Sequence, residues 1–99
     1  MAEKKKSGGL VYRGKPLIRY GNVLYYGSMA DSHIVMLQIR ETEKDHGLDV
    51  ASKVMVTLMQ TDESLNILQR VVRTGEKNGL YEAIEIGDIW LSRALADNS

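Results

Sequence analysis

The order of hydrophobic patterns predicts a small α+β domain: an antiparallel sheet of four to five strands in meander order, then two C-terminal α-helices packed on one face. Three observations carry this. Apolar residues alternate in short runs between Leu10 and Thr61, the period of half-buried strands. Two-residue turn signals, Gly21-Asn22 and His46-Gly47, join consecutive runs as hairpins do. After Thr61 the apolar spacing becomes helical.

Residues 1–9 read as a flexible basic N-terminal arm, with Lys4-Lys5-Lys6 against Glu3 and nothing apolar enough to offset the entropy of ordering. Residues 10–99 read as a single α+β domain, a size that one core can serve. Leu10–Arg13 suits a short edge strand, and Gly14 and Pro16 mark a break after it. Leu17–Tyr20 and Val23–Tyr26 flank Gly21-Asn22. Pairing Tyr20 with Val23 puts Ile18, Tyr20, Val23 and Tyr25 on one face, and Leu17, Arg19, Leu24 and Tyr26 on the other.

The next hairpin is fixed by register. A two-residue turn at His46-Gly47 sets Ile39 opposite Val54, Leu37 opposite Val56 and Val35 opposite Leu58. A three-residue turn would scatter those six over both faces. The preferred turn requires a positive φ at His46 and places Arg40 opposite Lys53, while a bulge near Ala51-Ser52 would rescue the alternative.

Asp62 is a candidate N-cap, and Leu65, Leu68, Val71 and Val72 recur at helical spacing up to Gly75 or Gly79. The second helix spans about Leu80 to Leu95, with a stripe of Leu80, Ala83, Ile84, Gly87, Leu91, Ala94 and Leu95 widened by Trp90. Glycine in mid-helix costs roughly 1 kcal/mol relative to alanine. Gly87 therefore points to close approach of this helix to the sheet.

Composition narrows the function classes. With no cysteine, disulfides, thiolate metal sites and cysteine nucleophiles are excluded, and a cytoplasmic location is the expectation. Without the arm the body carries ten basic and twelve acidic groups, unlike a strongly basic nucleic-acid binder. Asp31-Ser32-His33, and His46 among Glu41, Glu43, Asp45 and Asp49, are the only metal-like groupings. Counted from Glu41, a calcium loop would need glycine and glutamate where His46 and Ser52 stand. Gly27-Ser28-Met29 is no nucleophile elbow, and the glycine pairs match no phosphate-binding fingerprint. The expectation is no catalytic residue, no cofactor and no metal.

Two surfaces remain. In the chosen register Ile34, Met36, Met55 and Met59, with Gln38 and Thr57, line the sheet face away from the core. Methionine suits adaptable contact surfaces, so either the Gly21-Asn22 hairpin folds over this face or another chain does. The N-terminal hairpin gathers Arg13, Lys15, Arg19, Tyr25 and Tyr26, cations and aromatics of the kind that hold single-stranded nucleic acid. The leading expectation is a non-catalytic interaction module that binds a protein partner or self-associates. The alternative is a single-stranded nucleic-acid binder using that hairpin. No membrane partner is expected.

Overall fold

The computed structural model describes residues 10–97; the basic arm expected over residues 1–9 lies outside them. Strands β1 (Leu10–Tyr12), β2 (Lys15–Tyr20), β3 (Val23–Tyr26), β4 (His33–Asp45) and β5 (Leu48–Gln60) lead to a single helical turn, α1 (Ile67–Arg70). Strand β6 (Val71–Lys77) and helix α2 (Leu80–Asp97) follow. All six strands form one antiparallel sheet in sequence order, so the α+β meander is as predicted, with one strand more. No helix among the described residues is long and apolar enough to cross a membrane.

Both predicted registers hold. Tyr20 pairs with Val23, while Ile39, Leu37 and Val35 pair with Val54, Val56 and Leu58. The turn between β4 and β5 has two residues, His46 at φ 52° and Gly47 at φ 82°, as a primed hairpin turn requires. Arg40 does not face Lys53. The ladder steps from Ile39↔Val54 to Glu41↔Lys53 and then to Thr42↔Ala51, leaving Arg40 and Ser52 as extra residues on opposite strands. Like charges directly opposite repel across a ladder; the paired bulges exchange Arg40 for Glu41 opposite Lys53 and then restore register.

Neighbouring strands stop near those bulges. β3 reaches β4 as far as Gln38, and β6 reaches β5 as far as Val54. Residues 40–53 therefore continue as a two-stranded arm beyond the sheet.

The segment after Thr61 departs from expectation. Asp62 binds the Ser64 amide and hydroxyl in a local turn, and the helix starts only at Asn66, whose side chain and Gln69 cap each other reciprocally. It ends one turn later, with Val71 already extended. Leu68 is 85% exposed, so the helical spacing of Leu65, Leu68, Val71 and Val72 does not mark a core stripe. Val71, Val72 and Thr74 are β-branched and stiff, favouring strand over helix, and the open edge of β5 supplies the ladder. One long helix, not two, covers the sheet.

That helix lies over Val35, Leu37, Ile39, Val54, Val56 and Leu58, the predicted inner face, and over Leu17, Leu24 and Tyr26 of the first hairpin, which join it in the core. Ala83, Trp90 and Leu91 from α2 are buried against it. Gly87 sits at a close approach of helix and sheet: a Cβ there would lie 3.0 Å from Val35 Cγ1.

Candidate interaction surfaces

The opposite face of the sheet carries no helix among the described residues. The Gly21-Asn22 hairpin does not fold over it; β2 and β3 continue the sheet edgewise instead. Cross-strand pairing brings Ile34 beside Met59, Met36 beside Thr57 and Tyr25, and Met55 beside Gln38. Ile34 and Thr57 are buried by their neighbours, and Met36, Met55 and Met59 are half-buried. Tyr20 and Tyr25 stand more exposed beside them, their rings edge to face with centroids 6.1 Å apart. On β6, Val71 (37% exposed) pairs with Met59 and Glu76 pairs with Met55. Across the span of Ile34–Gln38 and the β2, β3, β5 and β6 residues aligned with it, Glu76 is the charged side chain on this face; Lys53, paired with Glu41, follows Met55 on the same side where the arm begins.

The basic and aromatic residues of the N-terminal hairpin part company. Alternation along β2 turns Lys15, Leu17 and Arg19 towards α2, and Ile18 and Tyr20 away from it. Tyr26 is fully buried in the core while Tyr25 points outward. The cations are engaged as well: Arg19 Nε donates to the Gly21 carbonyl at 2.7 Å, and Arg13 and Lys15 both reach α2. Exposed rings and cations thus lie on opposite sides of the sheet, whereas a strand-tracking groove needs them side by side.

Arg13 and Lys15 converge on Asp88, a carboxylate that the sequence reading did not single out. Asp88 is 8% exposed. Its Oδ1 accepts from the Tyr26 hydroxyl at 2.7 Å and from Lys15 Nζ at 3.3 Å, and Arg13 Nη1 lies 3.4 Å from Oδ2. Arg13 also pairs with Glu85 at 2.8 Å, and the Tyr26 hydroxyl lies 2.9 Å from the Tyr12 carbonyl oxygen. Burial pushes the Asp88 carboxyl up, but the Tyr26 and Lys15 hydrogen bonds and the Lys15 and Arg13 charges together hold it below its usual value. The same cluster raises the Tyr26 hydroxyl far above its usual range, through burial first and then its bond to Asp88. Every member has a partner, and the group ties the β1–β2 turn to the helix. A signal was present in the sequence: Asp88 falls between Ile84 and Leu91 on the apolar stripe, where a lone charge needs a partner.

The histidines stay apart. His33 Nδ1 is 2.8 Å from Ser32 Oγ, and His46 is almost fully exposed at the arm tip, 3.6 Å from Asp45. Among the described residues no three His, Asp or Glu side chains come together as metal ligands would. A cleft of about 790 Å³ opens between the base of the arm and the start of α2, where Arg19, Arg40, Glu41, Asp49 and Glu82 mix both signs of charge. Comparison with family models, curated proteins and solved structures finds no match.

Proposed function

We propose that the chain is a cytoplasmic, non-catalytic interaction module that pairs with a second copy of itself through the uncovered face of its sheet. The observation that supports this is the open face itself, with Ile18, Tyr20, Tyr25, Met36, Met55 and Met59 side by side and, among the described residues, no helix over them. Sheets that bear such a face pack it against another layer about 10 Å away.

The distribution of charge favours a second copy as that layer. Among the described residues the charges on this face lie at its margins, Glu76 on the edge strand and the Lys53–Glu41 pair at the base of the arm, so two copies meet without stranding an ion at its centre. Strands lie about 4.8 Å apart and rise about 3.3 Å per residue. Five strands, β2 to β6, by the five residues of Ile34–Gln38 give about 400 Å² per copy, or about 800 Å² for both. That is the size of a weak, transient contact, below the about 1,200 Å² at which stable specific interfaces begin, so the dimer proposed is a readily dissociating one.

Sedimentation equilibrium across the micromolar range tests it. The expected result is a monomer–dimer equilibrium that Met55→Glu abolishes while the urea midpoint stays close to that of the parent. A wild-type chain that is strictly monomeric throughout, or a dimer that Met36→Glu and Met55→Glu both leave intact, refutes the proposal.

A further inference from the structure

The geometry points to a second binding site, independent of the open face: an acidic, extended peptide adds as a strand to the free edge of β6, with its side chains entering the groove between β6 and α2. The edge comes first. β6 is the last strand of the sheet, and no strand lies on its far side among the described residues. Its seven residues contain no proline, so it keeps a row of outward backbone donors and acceptors, which is the template that strand addition uses.

The groove lies on the helix side of that edge, with a volume of about 410 Å³. Its floor is apolar, made by Leu58, Val72, Trp90 and Ala94. A bulge between β5 and β6 makes Val72 the extra residue, since Leu58 pairs with Arg73 and Met59 with Val71. Bulges re-aim side chains, and here Val72 and Arg73 line the same groove. Just before the strand in sequence, Ile67 and Leu68 are 65% and 85% exposed.

The rim supplies the charge. Arg73, Arg93 and His33 stand around the groove against one acid, Asp97. The Arg73 guanidinium lies over the Trp90 ring, 4.5 Å from its centroid, which holds it flat and ready for a carboxylate. Among the described residues Arg13, Lys15 and Lys44 are all ion-paired, whereas neither Arg73 nor Arg93 forms such a pair. Positive charge beside an apolar floor and an open strand edge matches a peptide that alternates apolar and acidic residues, because every second side chain of an added strand faces the groove. A second copy of β6 is the poorer occupant: it would bring the same two arginines to the same edge.

The test uses the full chain and a fluorescein-labelled synthetic peptide of alternating leucine and glutamate, with the leucine–lysine peptide as its counterpart. Anisotropy gives affinity, the single tryptophan reports the groove directly, and amide shifts locate the contact. The expected result is saturable binding, about tenfold or more in favour of the glutamate peptide, with shifts concentrated in residues 71–77 and a change in Trp90 fluorescence. Arg73→Glu with Arg93→Glu should reverse the preference. Both side chains are exposed, and unchanged far-UV circular dichroism would show the fold intact. Repeating the titration on Met55→Glu separates this site from self-association, since the groove should still bind. Equal affinity for both peptides, shifts centred elsewhere, or no binding up to millimolar peptide overturns the inference. So does a Trp90 response to decanoate without peptide binding, which would assign the groove to small anionic amphipaths.

Discussion

Replacing Gly87 by alanine sets two opposing effects against each other. Alanine is the better helix former by about 1 kcal/mol, so on an exposed helix the change would stabilise. Here the new Cβ lands 3.0 Å from Val35 Cγ1 and 3.7 Å from Val56 Cγ1. Carbon pairs are most favourable at about 3.5–4.0 Å, so the first contact must open by about half an ångström. Val35 and Val56 are fully buried, and β-branched side chains have little rotamer freedom with which to move away. Lifting α2 instead would loosen Ala83 and Leu91, which are buried on the same side of the helix. Overpacking of this kind costs about 1–3 kcal/mol. The net expectation for Gly87→Ala is therefore a loss of about 1 kcal/mol. In a Val35→Ala background the obstructing methyl is gone, and the same substitution should stabilise by about 1 kcal/mol. Equilibrium urea denaturation of the four proteins gives a coupling of about 2 kcal/mol. Gly87→Ala acting with the same sign and size in both backgrounds would refute the close-approach argument.

Asp88→Asn tests the cluster beneath α2 through pH. Hydrogen bonds and nearby cations hold the folded-state pKa of Asp88 below the ordinary 3.8, despite burial. The carboxylate thus contributes its full stabilisation above that value and loses it as pH falls through 3.8 towards the folded-state value. Wild type should exceed Asp88→Asn by about 2 kcal/mol near neutrality, and the gap in urea-derived stability should narrow progressively below about pH 4. A gap independent of pH would contradict this. At the arm tip, His46→Asn should relieve the positive φ of 52° and slow amide exchange across residues 41–52, equivalent to about 0.5 kcal/mol of local stability. Little is given up there, because the imidazole is almost wholly in solvent.

The hairpins were legible because two independent constraints agreed. Turn chemistry at Gly21-Asn22 and His46-Gly47, and the need to keep Val35, Leu37, Ile39, Val54, Val56 and Leu58 on one face, selected the same register. Local exceptions were harder to see: Arg40 and Ser52 bulge because of what lies across the ladder, which is fixed only after the strands meet. Residues 62–77 were misread because β6 is an edge strand with few inward apolar positions. Gly75, under the Trp90 ring, has no side chain to show which face is buried. Its strand character comes from pairing with β5 as well as from its own residues. The residues that line the methionine face could be read from register alone, but not that the first hairpin would leave the face uncovered. The Asp88 cluster could not, since its members lie 62 to 75 positions apart.

Those long separations imply an order of assembly. Strands β1 to β5 follow one another through turns and a short loop, so each of those hairpins can zip locally soon after its residues become available. Asp88 joins only when α2 docks, and until then the Tyr26 hydroxyl lacks its carboxylate and Arg13 and Lys15 lack their anchor. On a ribosome, where the N-terminal strands emerge first, the sheet would form before its own clasp exists. Docking of α2 is then the event that fastens the β1–β2 edge.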